Sequence, residues 1–185
     1  MATMSKRNVV LFKEEQRFRQ PWLWGLLVLI ILITLAPMAR ELLLQIFRNE
    51  TENGESNSLV NLILTAGGVF LFHLLLILFF YGTKLVIEVR QDGIYYRFFP
   101  LHWNVHHIPL REIRNYAART YKPIREYGGW GIRYGFGGKA YNVSGNRGVQ
   151  LELNKGGLAS KKVLFGSQRP DEFAAAIDAA MKTKR

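Results

Sequence analysis

The stretch Leu59 to Tyr81, LVNLILTAGGVFLFHLLLILFFY, constrains this chain most. Its 23 residues contain no Asp, Glu, Lys or Arg. At about 1.5 Å of rise per residue, a helix of that length crosses a bilayer core of about 30 Å. In water the same run would need burial on every side. A second apolar stretch, Pro21 to Ala39, has 19 uncharged residues. Pro21 suits a first helical turn, where its missing N–H is not needed. Trp22 and Trp24 stand where an interfacial aromatic belt belongs, with Arg17 and Arg19 just outside and Lys84 beyond the second stretch. Pro37 is expected to end or kink the first helix. Two such stretches, each bounded by charge, disfavour buried helices of a soluble protein. They predict a transmembrane hairpin, with helices over 21–39 and 59–82.

Charge orients the hairpin. Residues 1–20 hold five Lys/Arg against Glu14 and Glu15, residues 40–58 hold two against four Glu, and residues 84–185 hold eighteen against eight acids. The excess of Lys/Arg places both termini in the cytoplasm and the 40–58 loop outside, in an inner-membrane, multi-pass arrangement. Within the loop, Leu42, Leu43, Ile46 and Phe47 continue a helical spacing, and Asn49-Glu50-Thr51 matches a glycosylation acceptor of the kind chance often supplies. In the second helix, Ala66-Gly67-Gly68 is expected to pack closely on the first. His73, the one ionisable group in the run, is a functional candidate by position, but a neutral histidine satisfied at the helix interface is the simpler reading.

The N-terminal segment 1–20 contains NVVLF, which fits either a short strand or an interfacial segment. After Lys84 the pattern changes to period two. Leu85, Ile87 and Val89 alternate with Glu88 and Arg90, as in a half-buried strand. Asp92-Gly93 reads as a hairpin turn into Ile94–Phe99. Further strands are expected over His106–Leu110, Ile113–Tyr121, Trp130–Tyr134, Ala140–Ser144, Val149–Leu153 and Lys161–Phe165. A helix from Pro170 to Lys182 follows, with Asp171 and Glu172 at its positive end and Phe173, Ile177 and Met181 forming one apolar stripe.

The hairpin LVIEVRQDGIYYRFFP, IPLREI, GGWGIR, AYNVSGNRGVQLEL and VLFGSQRPDEFAAAI together resemble bacterial membrane proteins that join two N-terminal transmembrane helices to a pleckstrin-homology-like domain. The resemblance implies an α+β membrane protein: a two-helix transmembrane hairpin, then a PH-like antiparallel β-barrel or sandwich over 84–182, capped by a C-terminal α-helix. It implies layout and little about activity. Phosphoinositide-binding members of that superfamily use a basic loop between the first two strands. Here the corresponding loop, Gln91-Asp92-Gly93, is tight and acidic.

Several chemistries fall away. With no cysteine, disulfides, thiol nucleophiles and cysteine-ligated zinc are excluded. The glycines from Gly128 to Gly138 fail the spacing of a P-loop, which would need Gly at Arg133, and of a dinucleotide fingerprint, which would need Gly at Tyr134. They read as turns. His102, His106 and His107 make a metal pair conceivable, but no carboxylate follows until Glu112. No Ser, His and carboxylate constellation, cofactor motif or metal set is found, and no enzyme is expected.

The densest basic group is Arg119, Lys122, Arg125, Arg133 and Lys139, interleaved with Tyr121, Tyr127, Trp130, Tyr134 and Phe136. Such a mixture can bind single strands of nucleic acid, lie on anionic headgroups, or be core aromatics beside solvated charges. In a membrane-tethered chain, lipid is a simpler partner than nucleic acid, and no nucleic-acid partner is expected. The expected function is an interaction or scaffold module at the inner face of the cytoplasmic membrane, recruiting a protein partner. The alternative is anionic-lipid sensing through Lys122, Arg125, Arg133 and Lys139.

Overall fold

The computed structural model describes residues 9–48, 56–135, 137–154 and 161–183. They form two compact units, one from Arg19–Gly82 and one from the segments Met1–Phe18 and Thr83–Arg185.

The first unit is a pair of helices, α1 (Pro21–Arg48) and α2 (Ser56–Gly82). Within them, Pro21–Leu44 and Val60–Gly82 are long and apolar enough to cross a membrane. α1 runs on through Pro37, forgoing the one backbone bond that its ring denies to the carbonyl of Ile33. Both helices are therefore longer than the 21–39 and 59–82 expected, and most of the 40–58 connection is helical. Residues 49–55, with the Asn49-Glu50-Thr51 pattern, lie outside the described residues. On α2 the more sheltered positions, Leu62, Ala66, Val69, His73, Leu76 and Phe80, recur every three or four residues. Gly67 and Gly68 lie off that stripe, and a Cβ added at either would meet nothing within 4 Å. Of the three small residues, only Ala66 is placed to pack on α1. His73 is 6% exposed. Its Nδ1 lies 2.7 Å from the Val69 carbonyl, and its Nε2 lies 3.3 Å from the Thr34 hydroxyl of α1. A carbonyl only accepts, so Nδ1 donates to Val69, while Nε2 faces the Thr34 hydroxyl, which also donates to the Ile30 carbonyl at 2.8 Å. The ring is a satisfied bridge between the helices.

The second unit holds strands β1 (Val10–Arg17), β2 (Lys84–Arg90), β3 (Gly93–Phe99), β4 (His106–Pro109) and β5 (Ile113–Thr120). The one-turn helix α3 (Pro123–Tyr127) follows, then β6 (Gly131–Gly135), β7 (Gly138–Asn142), β8 (Arg147–Leu153), β9 (Lys161–Gly166) and helix α4 (Pro170–Lys182). One sheet has the order β1-β2-β3-β4 and the other β5-β8-β9-β7-β6. Of the expected barrel or sandwich, the barrel is not formed: the sheets remain separate and do not close. Nor is the pairing wholly antiparallel, because β7 and β9 run parallel. The fold is mixed α+β.

Two local results differ from the sequence reading. The β2–β3 turn is centred on Gln91-Asp92, with Gly93 already in the strand opposite Arg90. Glycine is needed there for space, since a Cβ would collide with the His107 ring and the Ile108 carbonyl. The sheet unit also reaches back before the apolar helices, since β1 pairs along β2 from Val10↔Arg90 to Arg17↔Lys84. Thus Val10–Arg17 joins the 84–182 region in one folded body.

The two sheets face each other across one core. Phe12, Leu85, Ile87, Val89, Ile94 and Phe98 come from the first sheet, Val149, Leu151, Val163 and Phe165 from the second, and Phe173, Ala176, Ile177 and Ala180 from α4. The α4 residues follow an i, i+3, i+4, i+7 spacing, the face that an amphipathic helix buries. Phe173 stacks on Phe12 with centroids 5.1 Å apart. On the far side of the second sheet, Tyr121, Tyr127, Ala140 and Leu164 form a smaller cluster under α3.

Polar bonds fasten β1 in place. Glu14 is 6% exposed. Its carboxylate accepts from the Ser167 hydroxyl at 2.5 Å and the Gln168 N–H at 2.8 Å. Beside it, Gln16 donates to the Gly166 carbonyl at 2.7 Å, and Arg169 donates to the Lys13 carbonyl at 2.7 Å. Glu14→Ala strands two donors at a buried site. It is expected to lower unfolding free energy by about 2 kcal/mol, read from a denaturant transition.

Candidate functional site

The outward face of the first sheet carries a dense charge lattice. Outward residues alternate with core residues along each strand. Register sets Lys13 opposite Glu88, Glu15 opposite Val86, and Arg17 opposite Lys84. Across the next seam, Val86 stands opposite Arg97, Glu88 opposite Tyr95, and Lys84 opposite Phe99. A groove of about 280 Å³ lies over this face, lined by Lys13, Glu15, Lys84, Glu88, Arg90 and Arg97 among others.

Within it, Glu88 meets Lys13 at 2.9 Å and Arg90 at 2.6 Å, while Glu15 meets Arg17 at 2.6 Å and Lys84 at 3.4 Å. Hydrogen bonds from Lys13 and then Arg90 hold the Glu88 carboxyl below the usual carboxylate range, and Arg17 does the same for Glu15. Arg97 makes no ion pair among the described residues and lies over the Phe99 ring at 5.9 Å. Five cations therefore face two carboxylates, leaving a net positive surface. Tyr95 donates to Asp92 at 2.5 Å, which pushes its hydroxyl pKa up, and it stacks on His107. The outward alternation of Glu88 and Arg90 was legible in sequence. Lys13 and Glu15 are not, because two of the three inward positions of their strand, Glu14 and Gln16, are polar and hide its period.

The Glu88 shift has a pH consequence. Its folded pKa lies below the ordinary glutamate value of about 4.5. The stabilisation is therefore complete above that value and is lost as pH falls through the lower folded value. Glu88→Gln is expected to cost about 1 kcal/mol at neutral pH and to flatten the acid limb of a stability–pH profile.

The basic aromatic segment does not assemble as one surface. Arg119 turns inward, bonded to Glu126 at 2.7 Å and Gln150 at 3.0 Å. Lys122 precedes α3, its N–H bonded to Glu126, and Arg125 is exposed on α3. Arg133 and Lys139 sit on the β6–β7 ribbon. There Tyr134 pairs with Lys139, and Arg133 pairs with Ala140. Neighbouring positions on a strand point to opposite faces, so Arg133 and Lys139 project from opposite sides. Lys139 Nζ lies over the Tyr134 and Tyr141 rings at 5.0 and 4.8 Å, while the Arg133 guanidinium donates to the Trp130 carbonyl at 2.9 Å. Phe136 lies outside the described residues.

The histidines divide as well. His106 pairs with Tyr96 and His107 with Tyr95, on opposite faces of β4. His102 precedes the strand; its ring lies 4.3 Å from His106, and burial, then the charges of His106 and Lys139, push its pKa down. Among the described residues no three His, Asp or Glu side chains converge to hold a metal ion. The interface residues expected from sequence occupy the strand and helix ends. Arg17 closes β1, Arg19 lies in the connection to α1, Trp22 and Trp24 occupy its first turn, and Lys84 opens β2.

Two apolar helices, two facing sheets and a closing C-terminal helix define a mixed α+β protein with spans fit for a membrane. The chain belongs to DUF6141, a family of unknown function whose sequence model matches residues 54–183. No curated protein and no solved structure matches the chain.

Proposed function

We propose that this chain is a non-catalytic, membrane-anchored interaction module. Its two helices cross the inner membrane of a bacterial cell, and its PH-like sheet unit recruits a protein partner at the cytoplasmic face. One observation carries the reading: the apolar helices are inserted between two adjacent, paired strands. Because Arg17 lies opposite Lys84, the chain must leave and re-enter the sheet unit on the same side of a bilayer. A spanning segment then crosses twice, in keeping with the Lys/Arg distribution, which puts both termini inside.

The open sheets supply the docking feature. Among the described residues β1, β4, β5 and β6 each have one unpaired side, and an extended peptide can add to such an edge through backbone bonds. The exposed side chains of Tyr134 on β6 and Ile124 on α3 offer apolar contacts beside one edge. The antiparallel strands and closing helix favour the PH-like reading, whereas the open edges and parallel β7–β9 pair depart from a closed barrel. The anionic-lipid alternative through 119–139 has less support, since Arg133 and Lys139 face opposite ways.

The test is purification of tagged full-length protein in mild detergent with mass spectrometry of what accompanies it. A partner in fixed ratio is expected, reduced at least tenfold by Tyr134→Asp with Ile124→Asp at unchanged thermal stability. A preparation without any stoichiometric protein removes the reading.

A further inference from the structure

The loop between β3 and β4, Pro100 to Val105, presents an alternating apolar edge. Leu101 is 54% exposed, Trp103 78% and Val105 55%. An exposed Trp flanked by two exposed aliphatic side chains is costly in water, because apolar surface gains free energy on leaving it. The loop stem is nonetheless built. The His102 N–H donates to the Phe98 carbonyl at 2.7 Å, and its ring packs against His106, Tyr96 and Tyr141. Trp103 makes an edge contact with Phe99 at 5.9 Å. His102 turns inward and holds the base, while Leu101, Trp103 and Val105 project.

Register fixes which end of the sheet bears this loop. Phe99 pairs with Lys84, and Lys84 pairs with Arg17. These three residues make one row across the sheet. Arg17 leads through Phe18-Arg19-Gln20 into α1 at Pro21, and Lys84 follows Thr83 and the end of α2 at Gly82. The apolar loop therefore leaves from the same strand row to which both membrane-length helices are covalently joined. Arg17 and Lys84 lie in that row, and Arg97 lies two residues along β3 from it.

We infer that the Leu101–Trp103–Val105 loop is a third membrane contact, inserted into the headgroup and upper acyl region of an anionic bilayer. The inference rests on the reading that α1 and α2 span. Tryptophan suits that layer, with an apolar ring and one N–H to satisfy. The net positive end of the sheet would meet anionic headgroups. The loop would then fix the tilt of the sheet unit on the membrane, which a two-helix tether alone leaves free.

The cysteine-free chain allows a direct test. Full-length Trp103→Cys is spin-labelled and reconstituted into vesicles of phosphatidylcholine and phosphatidylglycerol. Ile124→Cys serves as an exposed reference, and Leu101→Cys as a second loop probe should Trp103→Cys misfold. Accessibility is measured to lipid-soluble oxygen and to a water-soluble nickel complex, and alkaline carbonate extraction is run in parallel. The expected result is a several-fold higher oxygen-to-nickel ratio at 103 than at 124, with the protein retained in the pellet. Because no other protein is present, that result assigns the shielding to lipid. Retention with equal ratios at 103 and 124 overturns the loop inference and leaves the anchor standing. Release by carbonate overturns the anchor and the inference with it.

Discussion

Residues 83–185 produced alone are expected not to fold, whereas the same residues joined to 1–18 through a short turn in place of 19–82 are expected to fold as a soluble domain. The reason is the position of β1. It covers one side of β2 along its whole length, brings Phe12 into the core against Phe173, and carries the Glu14 carboxylate that serves Ser167 and Gln168. Removing it uncovers Phe173 and the edge of β2 and leaves buried donors without acceptors. A domain of this size has only about 5–15 kcal/mol of net stability, and losing an edge strand together with part of the core consumes most of it. Arg17 and Lys84 are paired, so a turn of a few residues can close β1 and β2 into an ordinary hairpin. Amide dispersion in a heteronuclear NMR spectrum checks both halves of the statement. A dispersed spectrum from 83–185 alone would show that β1 is dispensable.

In that soluble version, Phe173→Ala is expected to cost about 3–5 kcal/mol, read as a shift of the urea midpoint. Phe173 is wholly buried and touches both Phe12 and Phe165. Its removal leaves a cavity where both sheets and α4 meet, and the rigid strands around it collapse only in part. Ala175, exposed on the other face of the same helix, is the control. Ala175→Ser should change stability by less than about 0.5 kcal/mol. A small effect at Phe173 would mean that α4 is not integral to the core.

Much of this fold is legible in the chain. Leu85, Ile87 and Val89 alternate because one side of β2 faces the core, and Phe173 and Ile177 recur because one side of α4 does. The two apolar runs need only length and lack of charge. β1 escapes the same logic. Its inward residues are Phe12, Glu14 and Gln16, so two of three core-facing positions are polar and the hydrophobic period disappears. Their burial makes sense only through Ser167, Gln168 and Gly166, some 150 residues away. Sheet closure is likewise unreadable from periodicity, which reports faces and not which strands meet. The separation of Arg133 from Lys139 was accessible in principle. Once a turn brings Gly135 and Gly138 together, residue parity sends the two side chains to opposite faces. Counting basic residues along the segment hides that parity.

The strand order also sets a schedule for biosynthesis. β1 leaves the ribosome first, yet its neighbour β2 appears only after all of 19–82 has been made. At about 5–20 residues per second, β1 waits several seconds as an unpaired strand. During that interval both apolar helices emerge before any sheet exists to compete for them. The sheet closes over β1 only once the chain has turned back.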